Sequence, residues 1–425
     1  MGGVRGRTPI QPNSTEVPVS DPGDLPSILS PPPAGCARLA ARDPRANHPH
    51  PNDPMAEGTL LRTPLHGEHA ALNAKLVPFA GYEMPVQYPT GITAEHHAVR
   101  KAAGLFDVSH MGEFEVRGDR AMEFVQYVTT NDVSKIAVGQ AQYGTLLNHD
   151  GKLLDDLIVY RYPGHYMLVV NGSNKDKDFR WISQFTEQFG VELLDRTDEI
   201  ALLALQGPRA EEILRGLTDA DLPAIRYYRF AEGTVDGIEA TISRTGYTGE
   251  DGFELYVPAA DAPRLWRRLL EVGADAGLLP AGLGCRDSLR LEMGYALYGN
   301  DLDEDTTPLE AGLGWVVKLD KGEFVGREAL ARQKEQGVQK RLVGFRLKER
   351  GFPRHGYPVS VDGAEAGVVT SGTSSPSLGQ GIGMAYVPTA AARPGTEIGI
   401  VIRNAAVPAE VVRPPFYTGG SVKKD

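Results

Sequence analysis

Hydrophobic and polar positions divide the chain into a leading stretch of little periodicity, a region where helical and strand patterns alternate, and a closing region of short apolar runs. Over residues 91–103 the spacing predicts a short helix ended by Gly104, and Asp119 is placed to cap a second helix with Met122, Val125 and Val128 on one stripe. The period then falls to two. Alternating runs at 142–148, 153–162 and 165–171 are separated by Asp150-Gly151 and Pro163-Gly164, both hairpin signals, and predict a three-stranded antiparallel meander. A strand over 253–257, a helix over 264–272 and a helix opening near Cys285 follow. Beyond Lys340, Val-rich runs punctuated by Gly, Pro and Ser predict an all-β terminal domain.

Residues 1–54 hold 12 of the 31 prolines and no amphipathic helix, so they are expected to be a disordered extension, with Met55 opening the functional protein. No apolar run reaches the roughly 18 residues of a membrane span, so no membrane partner is expected. Two cysteines, Cys36 and Cys285, are too few for a disulfide framework or a four-thiolate metal site. A net charge of -11 disfavours nucleic acid, whose binding requires a basic surface.

Candidate chemistry centres on Asp155 and Asp156, two carboxylates inside an otherwise apolar strand, where burying charge is costly without a partner or a function. Neighbours on a strand point to opposite faces, so only one of the two is expected to face a pocket. With Asp150-Gly151 as a two-residue turn, Thr145 lies opposite Asp156 and Tyr143 opposite Ile158, which gathers Tyr143, Asp156 and Tyr160 on one face. The same reasoning at Pro163-Gly164 places Asn171 opposite Asp156. A carboxylate, an amide and two aromatic rings suit a flat heteroaromatic ligand with hydrogen-bond donors better than a metal or a phosphate. The alternative is an aspartate that merely accepts hydrogen bonds from a loop.

Two further segments carry candidates. The Gly-rich turn 244–252 leads into a strand on which Glu254 and Tyr256 share a face, and Arg286 stands in the first turn of a helix, where a cation opposes the helix dipole and calls for an acidic or ligand partner. Other motifs weaken on inspection. Glu95-His96-His97 lacks zinc-protease spacing, Asp107-Val108-Ser109-His110 cannot form a relay within one strand, and the glycines at 379, 381 and 383 are followed by no helix that would bind a dinucleotide.

Taken in order, Leu105-Phe106-Asp107-Val108-Ser109-His110-Met111, Leu154-Asp155-Asp156-Leu157-Ile158-Val159, Ala204-Leu205-Gln206-Gly207-Pro208, Gly246-Tyr247-Thr248-Gly249-Glu250-Asp251-Gly252, Arg286-Asp287-Ser288-Leu289-Arg290 and Leu297-Tyr298-Gly299-Asn300-Asp301 resemble the successive motifs of the T-protein family of the glycine cleavage system, the aminomethyltransferases. The resemblance spans residues 60–417. It implies an α+β fold: a three-domain cloverleaf around a central folate channel, with two interleaved α+β domains (58–112 with 197–285, and 113–196 with 286–335, together within 55–335) and a C-terminal antiparallel β-barrel-like domain (336–425).

The implied activity transfers the one-carbon unit of an aminomethyl-lipoyl H-protein to tetrahydrofolate, giving 5,10-methylenetetrahydrofolate, ammonia and the dihydrolipoyl carrier. The implied co-substrate is tetrahydrofolate and the implied partner the lipoylated H-protein, with no metal, flavin or nicotinamide. The implied setting is cytoplasmic, or the mitochondrial matrix in a eukaryote. The resemblance makes Asp156 the catalytic carboxylate. It carries folate contacts to Met111, Tyr143, Tyr160, Val170, Tyr247, Glu254, Arg286 and Tyr295, which join Asn171 from the strand argument.

Rival readings within the fold are a folate-binding accessory to iron-sulfur assembly and the folate half of a flavin-dependent amine oxidase. The first resembles its relatives around a Lys-Gly-Cys-Tyr-x-Gly-Gln motif, whereas Lys321-Gly322-Glu323-Phe324-Val325-Gly326-Arg327 here has no cysteine. The second needs a flavin domain that this chain has no room for. A non-catalytic scaffold is a third reading, opposed by the presence of Asp156, Glu254 and Arg286 together.

Overall fold

The structure, a computed structural model, describes residues 60–422, so the reading of residues 1–54 and of Met55 lies outside the described residues. Three large sheets organise the rest, beside a two-stranded one of Lys75–Phe79 and Tyr82–Gln87. The first has the strand order Phe230–Val235, Ile238–Ser243, Gly252–Pro258, Ile200–Gln206, Ala103–Asp107, Leu278–Pro280, antiparallel except at its final parallel pair. The second has the order Gln140–Leu147, Leu153–Arg161, His165–Val170, Gly112–Arg117, Glu192–Asp195. In sequence its strands lie between Ala103–Asp107 and Ile200–Gln206 of the first sheet, so the chain leaves one sheet, builds the other and returns. The third sheet is a closed antiparallel barrel of six strands, from Lys340–Leu347 to Ala405–Val412, and closure removes the exposed edges that short Val-rich strands would otherwise present.

Alternation along the strands explains how the first two sheets meet. Leu203, Leu205, Phe253 and Leu255 face one way, onto the helix Ala262–Gly273, while Leu202, Ala204 and Tyr256 face the other way and pack with Tyr160, Met167 and Val169 of the second sheet. On its far side the second sheet buries Leu157, Val159, Leu168 and Val170 against the helix Ala121–Val128. The site described below sits on the side where the two sheets face each other.

Two local expectations change. Gly104 does not stop a helix: the helix Ile92–Lys101 closes earlier and Gly104 lies inside the strand Ala103–Asp107, where a Cβ would come within 2.4 Å of Val99 Cγ2. Close approach of helix to strand accounts for this glycine. In the helix Ala121–Val128 the residue before the first turn is Arg120, no side chain caps it, and the buried stripe is Ala121, Phe124, Val125 and Val128, leaving Met122 39% exposed.

The motif around Lys321 proves structural. Its ammonium donates to the carbonyl oxygens of Gln126 (2.5 Å), Thr129 (2.6 Å) and Asn131 (2.8 Å), groups that the end of a helix leaves without partners. Lys321→Met is expected to cost about 1–3 kcal/mol of stability, because three buried carbonyl acceptors lose their donor, an amine that burial lowers to about 7. Chemical denaturation checks this, and an unchanged midpoint and slope would contradict it.

Candidate functional site

From Leu146 away from the turn the meander has the predicted register, although the loop itself holds three residues, His149 to Gly151, rather than two. Thr145 pairs with Asp156, Tyr143 with Ile158 and Leu157 with Val170, with a bulge between Leu146 and Leu147 beyond the site. Asn171 is the first residue past the strand His165–Val170 and therefore stands at the level of the doublet. Its Nδ2 donates to Asp156 Oδ1 (2.9 Å) and to Asp155 Oδ1 (2.8 Å), while its backbone N–H donates to Asp155 Oδ2 (2.9 Å).

The two carboxylates have different surroundings. Asp155 is fully buried and also accepts from Asn174 Nδ2 (2.7 Å), so its oxygens are spent on holding the loop after the strand. Asp156 is only partly buried, and its second oxygen accepts from the Tyr143 hydroxyl (2.9 Å). Removal from water, reinforced by the charge of Asp155, pushes the Asp156 carboxyl up to about 7, against the lowering effect of Tyr143 and Asn171. A group poised near neutrality can either hold a proton or stabilise a cation at working pH.

Across from this carboxylate, the first sheet supplies Glu254. It is buried, which raises its carboxyl, and its Oε2 accepts a short hydrogen bond from Thr245 Oγ1. Among the described residues no donor reaches Oε1. Arg286, in the first turn of the helix Leu283–Met293, lowers the Glu254 carboxyl by its charge, yet it makes no ion pair or hydrogen bond among the described residues. Its guanidinium lies over the Tyr247 ring, 4.8 Å from the centroid, and burial lowers its pKa. The predicted need for a partner is thus met by an aromatic face and a facing carboxylate, with the donors left over.

Aromatic rings connect the two ends. Tyr247 stacks on Tyr295 at 5.8 Å and 24° and donates from its hydroxyl to the Ala296 carbonyl. Burial pushes the Tyr247 hydroxyl up, and the charges of Arg290, Asp156, Arg286 and Asp301 all act on it. Tyr160 extends from the Asp156 face towards the first sheet, where its hydroxyl accepts from Tyr256 (2.9 Å) and lies 3.3 Å from Thr245 Oγ1. Met111 packs, partly buried, on the cluster between the sheets. Val170 is the exception among the candidates: its side chain is buried in the core on the far face, so only its backbone is on offer.

Sequence reasoning missed several neighbours. Thr245 holds Glu254; Tyr228, at φ 58°, is close enough to Tyr160, Glu254 and Asp156 to feel their charges; and Trp315, 60% exposed, stacks on Tyr143 at 5.8 Å. No periodic pattern marks them, because each reaches the site from another sheet or an irregular segment. Open clefts of about 590 and about 220 Å³ elsewhere on the surface are lined by none of these residues. Among the described residues no His, Cys, Asp and Glu cluster is arranged to hold a metal, and no helix is long and apolar enough to cross a membrane.

A mixed sheet facing an antiparallel one, with helices on their outer sides and a closed C-terminal barrel, defines an α+β fold that brings a near-neutral carboxylate, aromatic rings and a Glu254-Arg286 pair to the side where the sheets meet. Residues 65–321 match the family model described as the GCVT N-terminal domain, and residues 340–418 match the glycine cleavage T-protein C-terminal barrel domain. The chain belongs to the glycine cleavage T-protein family. It is 56% identical over 366 residues to an aminomethyltransferase of Rubrobacter xylanophilus, which covers 85% of this chain and 96% of that one, and 52% identical over 358 residues to one of Halothermothrix orenii, covering 84% and 100%. Among solved structures, the glycine cleavage system aminomethyltransferase T of Bartonella henselae superposes with a TM-score of 0.80 at 37% identity, over 86% of this chain and all of that one. Membership makes this chain a tetrahydrofolate-dependent aminomethyltransferase of the glycine cleavage system.

Proposed function

We propose that Asp156 is the catalytic carboxylate, and that Glu254 and Arg286 orient tetrahydrofolate against it while a lipoylated H-protein delivers the aminomethyl group. The observation that carries this reading is the presence of unspent polar atoms, Glu254 Oε1 and the Arg286 guanidinium, beside the Tyr247 and Tyr295 rings, with a near-neutral carboxylate on the facing sheet. Glu254 suits the 2-amino and N3 hydrogens of the pterin, and Arg286 its carbonyl oxygen. Tyr247, Tyr295, Tyr160 and Tyr143 offer rings to pack on, with Met111 and Asn171 completing the lining and Val170 contributing backbone. In the net reaction, two hydrogens leave the folate nitrogens as two carbon–nitrogen bonds form. One goes to the departing ammonia and one to the sulfur of the lipoyl arm.

Asp156 serves that exchange in two ways. Its carboxylate lies where positive charge develops on the transferred carbon, and electrostatic stabilisation by a fixed charge in a partly dry site is worth more than in water. Its pKa lets it pass a proton between the folate nitrogens and the leaving amine. Tyr143 and Asn171 hold both oxygens in place, so the group needs no reorganisation. The bacterial relatives favour a cytoplasmic setting.

The pH profile tests the role. Because the ionised form acts, kcat with saturating aminomethyl H-protein is expected to rise with pH through a midpoint near about 7, the value to which burial and Asp155 bring the group. A flat profile between about pH 6 and about pH 8 would count against it.

A further inference from the structure

We infer that residues 413–422, the segment after the last barrel strand, are a positioning strap for the folate-binding loop 244–252, with Tyr417 and Ser421 as its working residues. The inference rests on the reading of Tyr247, Glu254 and Arg286 as the folate end of the site. The strap is anchored on the barrel, where Arg346 Nη2 donates to the Phe416 carbonyl (2.7 Å) and the Phe416 ring packs with Leu291, Ile382 and Met384. It then crosses the end of the helix that carries Arg286: the backbone N–H groups of Phe416 and Tyr417 both donate to the Glu292 carbonyl, at 2.8 and 3.0 Å.

From there it reaches the loop. Ser421 donates from its backbone N–H (2.8 Å) and its hydroxyl (2.5 Å) to Glu250 Oε2, and its Oγ accepts from the Asp251 N–H (3.1 Å). The other Glu250 oxygen is taken by Arg100 (2.7 Å), which also donates to the Thr248 carbonyl (2.7 Å) and to Glu292 (2.8 Å). The Tyr417 ring covers this guanidinium at 4.3 Å. The loop is therefore gripped by Arg100 on one oxygen and by the strap on the other, and the same arginine ties it to the Arg286 helix.

Glycines permit the approach. A Cβ at Gly420 would stand 2.3 Å from the Gly249 carbonyl oxygen, and one at Gly294 2.3 Å from Pro414 Cβ. Tyr247 precedes the gripped residues and Glu254 follows them, so the spacing between a stacking ring and a pterin-binding carboxylate depends on a segment that touches neither. Buried charge-assisted bonds hold geometry tightly, which is what a bidentate ligand site requires.

The test compares tetrahydrofolate saturation in the full chain, a chain ending at Val412, Ser421→Ala, Ser421→Thr and Tyr417→Phe. Truncation is expected to raise KM for tetrahydrofolate about tenfold or more with kcat within about threefold, and Ser421→Ala to raise it about threefold, since position is lost and the reacting groups remain. Ser421→Thr and Tyr417→Phe, which keep the hydroxyl and the ring, are expected to match wild type. A synthetic peptide of residues 413–425 should restore KM to the shortened chain. Unchanged KM in Ser421→Ala and in the shortened chain, or a lowered unfolding temperature with KM intact, would overturn the strap. If wild type shows no saturable tetrahydrofolate dependence, the folate reading falls with it, an outcome distinct from normal saturation that the variants leave untouched.

Discussion

Asp156→Asn is expected to abolish turnover, by about 100-fold or more, while the folded protein stays at least as stable as wild type and still binds tetrahydrofolate. The loss follows from charge. An amide cannot stabilise a developing cation or exchange a proton, yet it is nearly the same shape. It also keeps the local hydrogen bonds: its oxygen can accept from Asn171, and the Tyr143 hydroxyl, which donates to Asp156 at 2.9 Å, can turn to accept from the new NH2. The stability side has a definite sign. The folded state holds this carboxyl at about 7, above its usual 3.8, so ionisation works against the fold. The stability it lends is complete at low pH and lost as pH rises through about 7. Asparagine does not ionise, so above pH 7 the variant should unfold no earlier than wild type. Thermal unfolding at low and high pH, alongside a tetrahydrofolate titration, checks both halves; a clearly less stable variant would make Asp156 a structural residue.

Arg286 and Arg290 stand one turn apart on the helix Leu283–Met293, and substitution at each is expected to fail differently. Arg286→Met should raise KM for tetrahydrofolate by about 10- to 100-fold, the value of charge-assisted hydrogen bonds to a ligand, with little change in unfolding. Within the described residues that guanidinium is spent only on the face of Tyr247, and burial already disfavours its charge. Arg290→Met should instead destabilise by about 3–5 kcal/mol, because it strands a buried carboxylate. Arg290 is 1% exposed and donates to Asp301 (2.7 Å), to Ser371 of the barrel (2.8 Å) and to the Tyr295 carbonyl (3.0 Å). Equal losses of stability at both positions, or an unchanged KM at Arg286, would refute this division of labour between binding and assembly.

What could be seen in the sequence was what local geometry dictates. A two-residue turn at Asp150-Gly151 gave the right faces for Tyr143, Asp156 and Tyr160, with Asn171 beside them, by a different route from the real one: the loop holds three residues between Asn148 and Lys152, and a bulge between Leu146 and Leu147 restores the pairing of Thr145 with Asp156. The short Val-rich runs showed an all-β terminal domain, while its closure into a barrel came only with the family resemblance. The helix stop at Gly104 and the Met122 stripe misled because a glycine needed for close packing looks like a glycine needed for a turn, and because Ala121 and Phe124 centre the buried stripe away from Met122, about 100° off its middle. Thr245, Tyr228 and Trp315 escaped notice because they stand in irregular segments, Thr245 just past the strand paired with that of Glu254 and Trp315 in a short turn against Tyr143, where no periodicity marks them. The tail contact was hidden for the same reason: Ser421 lies 171 residues from Glu250, and only Gly249 and Gly420 hint that two backbones approach.

The most direct test of the account is steady-state formation of 5,10-methylenetetrahydrofolate and ammonia from tetrahydrofolate and aminomethylated H-protein, with wild type and Asp156→Asn side by side. The account predicts equal amounts of the two products from wild type and a rate lower by about 100-fold or more in the variant. Equal rates from both proteins, or tight tetrahydrofolate binding by wild type with no product, would contradict it.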